Sequence, residues 1–115
     1  MGLRIETESR GKALLLKLDG IVDASTAPEF SRVLRENIGM GHAGLVLDLS
    51  RVQYVSSAFL GALYSKQQDA RDAHGEIILA APNTDVRDVL DQVNMGSVLK
   101  IKGSVADAVQ ALSVE

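Results

Sequence analysis

Leu3, Ile5 and Thr7 alternate with Arg4, Glu6 and Glu8, a period of two that predicts a first strand with one solvated face. Ser9-Arg10-Gly11-Lys12 reads as a turn, and Ala13 to Leu18 as a second, more continuously apolar strand. So short a polar link predicts a hairpin. After Asp19-Gly20-Ile21-Val22-Asp23 the period lengthens. Phe30, Val33, Leu34 and Ile38 make one helical stripe. Thr26 and Glu29 have the spacing of a capping box, Pro28 fits the first turn, and Gly39 and Gly41 end the helix.

Gly44 precedes an apolar central strand, Leu45 to Leu49, and a short link, Arg51 to Val55, follows. A second helix is predicted from near Ser57 to about Ala73, carrying Phe59, Leu60, Leu63 and Tyr64. Its second half, from Lys66 to Asp72, is solvated, and His74-Gly75 stops it. Ile77 to Ala80 is the next strand. Asn83 or Thr84 caps a third helix bearing Val86, Val89, Leu90 and Val93, which Asn94-Met95-Gly96 closes. Val98 to Ile101 is a short last strand, and Ser104 caps a final helix with Val105, Ala108, Val109 and Leu112 inward. Strands alternating with helices predict one layered α/β domain over residues 1–115. Residues 3–18 are expected to form an antiparallel pair, and 45–49 and 77–80 to run parallel.

Composition narrows the function classes. The chain is 46% apolar, with two Phe, two Tyr and no Trp, so the core is aliphatic and no aromatic platform for stacking bases is expected. Twelve basic against fifteen acidic residues, a net charge of −3, argue against direct nucleic-acid binding. The absence of cysteine excludes disulfides and thiolate chemistry and suits a reducing cytoplasm. No segment reaches the ~18 to 20 apolar residues of a membrane span. The N-terminus has no leader pattern, so the protein is expected to be mature and cytoplasmic.

Candidate chemistry is sparse. Asp19, Asp23 and Asp48 fall at predicted strand ends, where α/β active sites sit. With no spaced histidine beside the three, Asp23 and Asp48 are expected to accept backbone hydrogen bonds at loops and helix starts, and no metal is expected. His42 and His74 lie beside glycines and read as exposed loop residues. Gly39-Met40-Gly41 follows a helix rather than a strand and lacks the Lys-Ser/Thr ending of a phosphate loop. No nucleophile elbow surrounds Ser56 or Ser57. No catalytic residue and no cofactor is expected. What remains is a serine pair at a helix start, where unpaired N–H groups gather. One serine serves as a cap, and a phosphoryl group on a hydroxyl there would meet free N–H groups and the positive end of the helix dipole.

In these motifs the chain resembles a STAS domain, and within that family the bacterial anti-sigma factor antagonists. The family pattern runs from a strand ending in LDLS, through an aromatic or aliphatic link, to D-S-S-G-L-G opening a helix. Here it stands as Leu47-Asp48-Leu49-Ser50, Arg51 to Val55, then Ser56-Ser57-Ala58-Phe59-Leu60-Gly61. An earlier element matches as Leu18-Asp19-Gly20-Ile21-Val22-Asp23. The motif aspartate is replaced by Ser56, the second serine by Ala58 and the first glycine by Phe59.

The resemblance implies a mixed sheet of about five strands, with about four helices packed mainly on one side. It also implies a switch. A partner anti-sigma factor, a serine kinase of the GHKL type, binds the unmodified protein and phosphorylates the motif serine, and a PP2C-type phosphatase restores it. Aligning Leu60-Gly61 places that serine at Ser57. The partner surface is then expected at Asp23, Ala24 and Ser25 with Ser56, Ser57 and Phe59, and Met95 as added apolar area. The alternative is a constitutive STAS scaffold in a sensory or lipid-transport complex, without a phospho-switch.

Overall fold

A computed structural model describes residues 2–42 and 44–113. The elements follow in the order β1 (Leu3–Arg10), β2 (Ala13–Val22), α1 (Ala27–Gly39), β3 (Gly44–Val55), α2 (Ser57–Asp72), β4 (Glu76–Ala80), α3 (Thr84–Gln92), β5 (Ile101–Lys102) and α4 (Val105–Ser113). A single turn of 3₁₀ helix, Met95–Ser97, lies between α3 and β5. The five strands form one mixed sheet in sequence order, β1-β2-β3-β4-β5. β1 and β2 are the expected antiparallel hairpin, while β2, β3, β4 and β5 run parallel.

Each sheet face buries one set of alternating residues. Leu14, Leu16 and Leu18 of β2, Leu45, Leu47 and Leu49 of β3, and Ile77 and Leu79 of β4 face α1, α2 and α3. Those helices return Phe30 and Leu34, Phe59 and Leu63, and Val86 and Leu90. Among the described residues the other face is covered by α4, where Ala108 packs among Leu15, Val46, Ile78 and Ala80. Burial on both faces explains why these strands show no strict alternation. Helices therefore lie mainly, though not wholly, on one side. Beyond α4 the second face is polar, with a cavity of about 360 Å³ lined by Arg4, Glu6, Lys17, Asp48 and Arg51 among others.

Three local expectations change. Arg51 to Val55 is not a link: β3 continues through it, pairing Arg51 with Asp19, Val52 with Gly20 and Val55 with Val22. Register shifts between Lys17 and Asp19 and between Gly20 and Ile21 break the period there and hide the strand. The Thr26–Glu29 capping box does not form, because Thr26 makes no side-chain cap bond to the helix. Its Oγ1 turns back to accept from Asp23 N–H and to donate to the Ile21 carbonyl. β5 shortens to Ile101–Lys102 because Val98 and Leu99 are held in the preceding turn by bonds to the Met95 carbonyl. Ser104 does cap α4, accepting from Asp107 N–H at 3.1 Å.

Candidate functional site

The parallel pairing of β2 with β3 carries both strands to the same end of the sheet. Val22 and Val55 are register partners there, so the Asp23–Thr26 loop and the start of α2 emerge side by side. A direct bond ties them. Ser56 Oγ donates to the Val22 carbonyl at 2.9 Å and accepts from Phe59 N–H at 3.3 Å. Ser56 is thus the N-cap of α2 in extended backbone conformation, and its hydroxyl is used in both directions.

Ser57 is the first helical residue and is exposed. Among the described residues its hydroxyl has no hydrogen-bond partner. The N–H groups of the first helical turn have no intrahelical acceptor, and the Ser56 side chain satisfies the one at Phe59. The helix carries no acidic residue in that turn. An anion on Ser57 would meet an uncompensated positive helix end.

Across the junction, Asp23 organises its loop. Its Oδ1 accepts from Ser25 N–H at 2.9 Å, Ser25 Oγ–H at 2.7 Å and Thr26 N–H at 3.2 Å, and its carbonyl accepts from Ala27 N–H at 2.8 Å. The bond from the Ser25 hydroxyl, and then the backbone bonds, hold the Asp23 carboxyl below its ordinary pKa. Asp48 likewise accepts from Ser50 N–H at 3.0 Å. Ala24 and Ser25, next to Asp23, are exposed. The structure brings Asp23, Ala24, Ser25, Ser56 and Ser57 together as expected from the sequence.

It does not bring Phe59 or Met95 to the surface. Phe59 is fully buried, its ring 5.1 Å from that of Phe30 and tilted by 51°. Position 59 begins the inward stripe of α2, continued by Leu63, Gln67 and Ala70, so the side chain locks α2 to α1 instead of facing a partner. Met95 is buried too, at 5% exposure, because the 3₁₀ turn tucks it under the core below α3. Both are structural. What the sequence reading missed is Tyr54, which is 57% exposed three residues before Ser57. Its place in the supposed link concealed it.

The STAS domain family model matches residues 4–108. The chain belongs to the STAS domain family. Members of this family are regulatory and non-catalytic. The chain is 29% identical over 91 residues to BtrV of Bordetella bronchiseptica, a candidate anti-sigma factor antagonist, covering 79% of this chain and 78% of that protein. Its fold matches that of an anti-sigma factor antagonist from Mycobacterium paratuberculosis with a TM-score of 0.89, at 19% identity, over 97% of this chain and 95% of that one. The phosphorylated form of the Bacillus protein SpoIIAA matches with a TM-score of 0.69, at 17% identity, over 96% and 98% of the two chains. The STAS fold is the one the sequence motifs led us to expect.

Proposed function

We propose that this chain is an anti-sigma factor antagonist in a phosphorylation-controlled partner switch, with Ser57 as the phosphoacceptor. One observation carries the choice of serine. At a single helix start, the Ser56 hydroxyl is engaged as donor and acceptor, while the Ser57 hydroxyl is exposed and has no partner among the described residues. The unmodified protein binds a GHKL-type serine kinase that is the anti-sigma factor, over Asp23, Ala24, Ser25, Ser56 and Ser57. Phosphorylation adds about −2 charge at the positive end of α2, which the helix accommodates. The docked partner does not: the phosphoryl group adds charge and bulk to the surface it must match. A PP2C-type phosphatase removes the group and restores binding. The exchange takes place in the cytoplasm.

Among the described residues no helix is long and apolar enough to cross a membrane. Replacement of the motif aspartate by Ser56 changes how the acceptor is held. A carboxylate there could cap α2 but could not donate to the Val22 carbonyl, as the Ser56 hydroxyl does. The test is incubation with the cognate kinase and ATP, followed by mass mapping. Phosphate on Ser57 alone supports the reading. Phosphate on Ser56 would overturn the assignment to Ser57, and stable binding with no modification at all would move the protein to a constitutive scaffold.

A further inference from the structure

Beside the serine pair, the end of β3 and α3 leave a small apolar recess. Its volume is about 90 Å³, and it is lined by Gln53, Tyr54, Val55, Asp85, Val86 and Val89. That is the liquid volume of about three waters, at ~30 Å³ each, enough for one branched aliphatic side chain. Asp85, Val89 and Val93 are spaced four apart on and just beyond α3, so they form one stripe on its surface. Tyr54 and Val93 are 57% and 48% exposed, two of the most exposed large apolar side chains in the protein. The apolar strip therefore runs on from the recess along α3.

The rim is acidic. Asp85 lines the recess and Asp88 is exposed one turn on. Asp91 is already paired, accepting from Arg87 at 3.1 Å. Asn83 anchors this helix start to β3 by donating to the Val52 carbonyl at 3.1 Å, so the recess is held at the same end of the sheet as Ser57.

We propose that this recess is a second contact for the anti-sigma kinase, taking one aliphatic side chain of the partner with an adjacent Lys or Arg set against Asp85. The inference rests on the partner-switching reading above and adds the chemistry by which the partner is anchored. Charge complementarity defines the occupant: an apolar anchor alone would leave Asp85 and Asp88 unmatched, and an acidic segment would be repelled. Because the acceptor Ser57 is not among its lining residues, the recess recruits the kinase without taking part in phosphoryl transfer. Its loss is read in Kd and KM, not in kcat.

The experiment uses the full chain and, as probe, the recombinant GHKL-type kinase from the same genome that phosphorylates Ser57. Binding is measured calorimetrically without ATP, and phosphorylation is followed at varied substrate concentration. Tyr54→Ala and Asp85→Asn are both at exposed positions, and thermal melts confirm their folding. Each is expected to weaken binding and raise KM by about five- to tenfold, with kcat within about twofold of the parent. Amide NMR shifts of Val89 and Val93 in the unsubstituted protein should move when kinase is added. Unchanged affinity and KM in both variants, with α3 shifts unmoved, would overturn the second contact while leaving the Ser57 switch standing. If no such kinase binds the unsubstituted protein, the partner-switching reading falls and this contact falls with it.

Discussion

The Ser56 hydroxyl holds the Phe59 N–H and the Val22 carbonyl at once, so its removal frees a helix terminus and unpairs a carbonyl between two loops. Ser56→Ala should therefore destabilise the protein by about 1–2 kcal/mol, and Ser56→Thr should recover much of that. Ser57→Ala should stay within about 0.5 kcal/mol, since its hydroxyl bonds nothing in the fold. Urea denaturation of the three variants decides the assignment, and equal losses at both positions would contradict it. Asp23 gives a pH prediction. Its folded-state pKa is lowered by Ser25 and Thr26, so the order it confers is present at neutral pH and is lost only as pH falls through that lowered value. The Ser25 and Thr26 amide resonances should titrate with a midpoint below that of an ordinary aspartate. A midpoint at or above the ordinary value would show that the three bonds to Asp23 Oδ1 do not hold in solution. The serine pair and Asp23 were legible in the sequence because cap and loop residues announce themselves by type. Which serine caps was not, since two adjacent hydroxyls satisfy the same pattern until a backbone angle separates them.

β3 shows why a strand boundary escaped a reading by period. Its second half pairs with Asp19 to Val22 through two register shifts, and exposed Arg51, Gln53 and Tyr54 interrupt the buried Val52 and Val55. The inward stripe of α2 was obscured in a different way. It contains Gln67, a polar residue that is 2% exposed and earns its place by accepting from Ile77 N–H at 2.7 Å and donating to the Val98 carbonyl. With Gln67 counted as outward, Phe59 could be assigned to either face; with it inward, residues 59, 63, 67 and 70 fall on one side. A glycine of β2 and a glycine of α2 should respond oppositely to the same change. Gly20 sits at φ +124°, and an added Cβ would collide with the Gly2 carbonyl oxygen, so Gly20→Ala should cost about 1–3 kcal/mol. Gly61 lies inside α2 with open space around its missing side chain, so Gly61→Ala should stabilise by about 0.5–1 kcal/mol. Melting temperatures moving in the same direction would contradict this account of the two sites.

Across the whole molecule, the parallel run from β2 to β4 gathers the proposed site at one end. The loop after β2, the start of α2 and the start of α3 all open there, while α4 packs on the opposite face of the sheet. That layout was visible from alternating strand and helix periods, whose aliphatic runs reflect burial on both sheet faces, and from the two motifs. The exposed recess was not visible, since it is made by residues of β3 and α3 about thirty positions apart. The central claim is that one phosphoryl group at Ser57 changes partner affinity while the fold persists. The direct measurement is the Kd of the anti-sigma kinase for the unmodified protein and for protein phosphorylated at Ser57, with NMR spectra of both forms. We predict an affinity loss of at least about a hundredfold, roughly 2.7 kcal/mol, with shift changes confined to Asp23–Thr26 and the first turn of α2. Equal affinity for the two forms would contradict the switch.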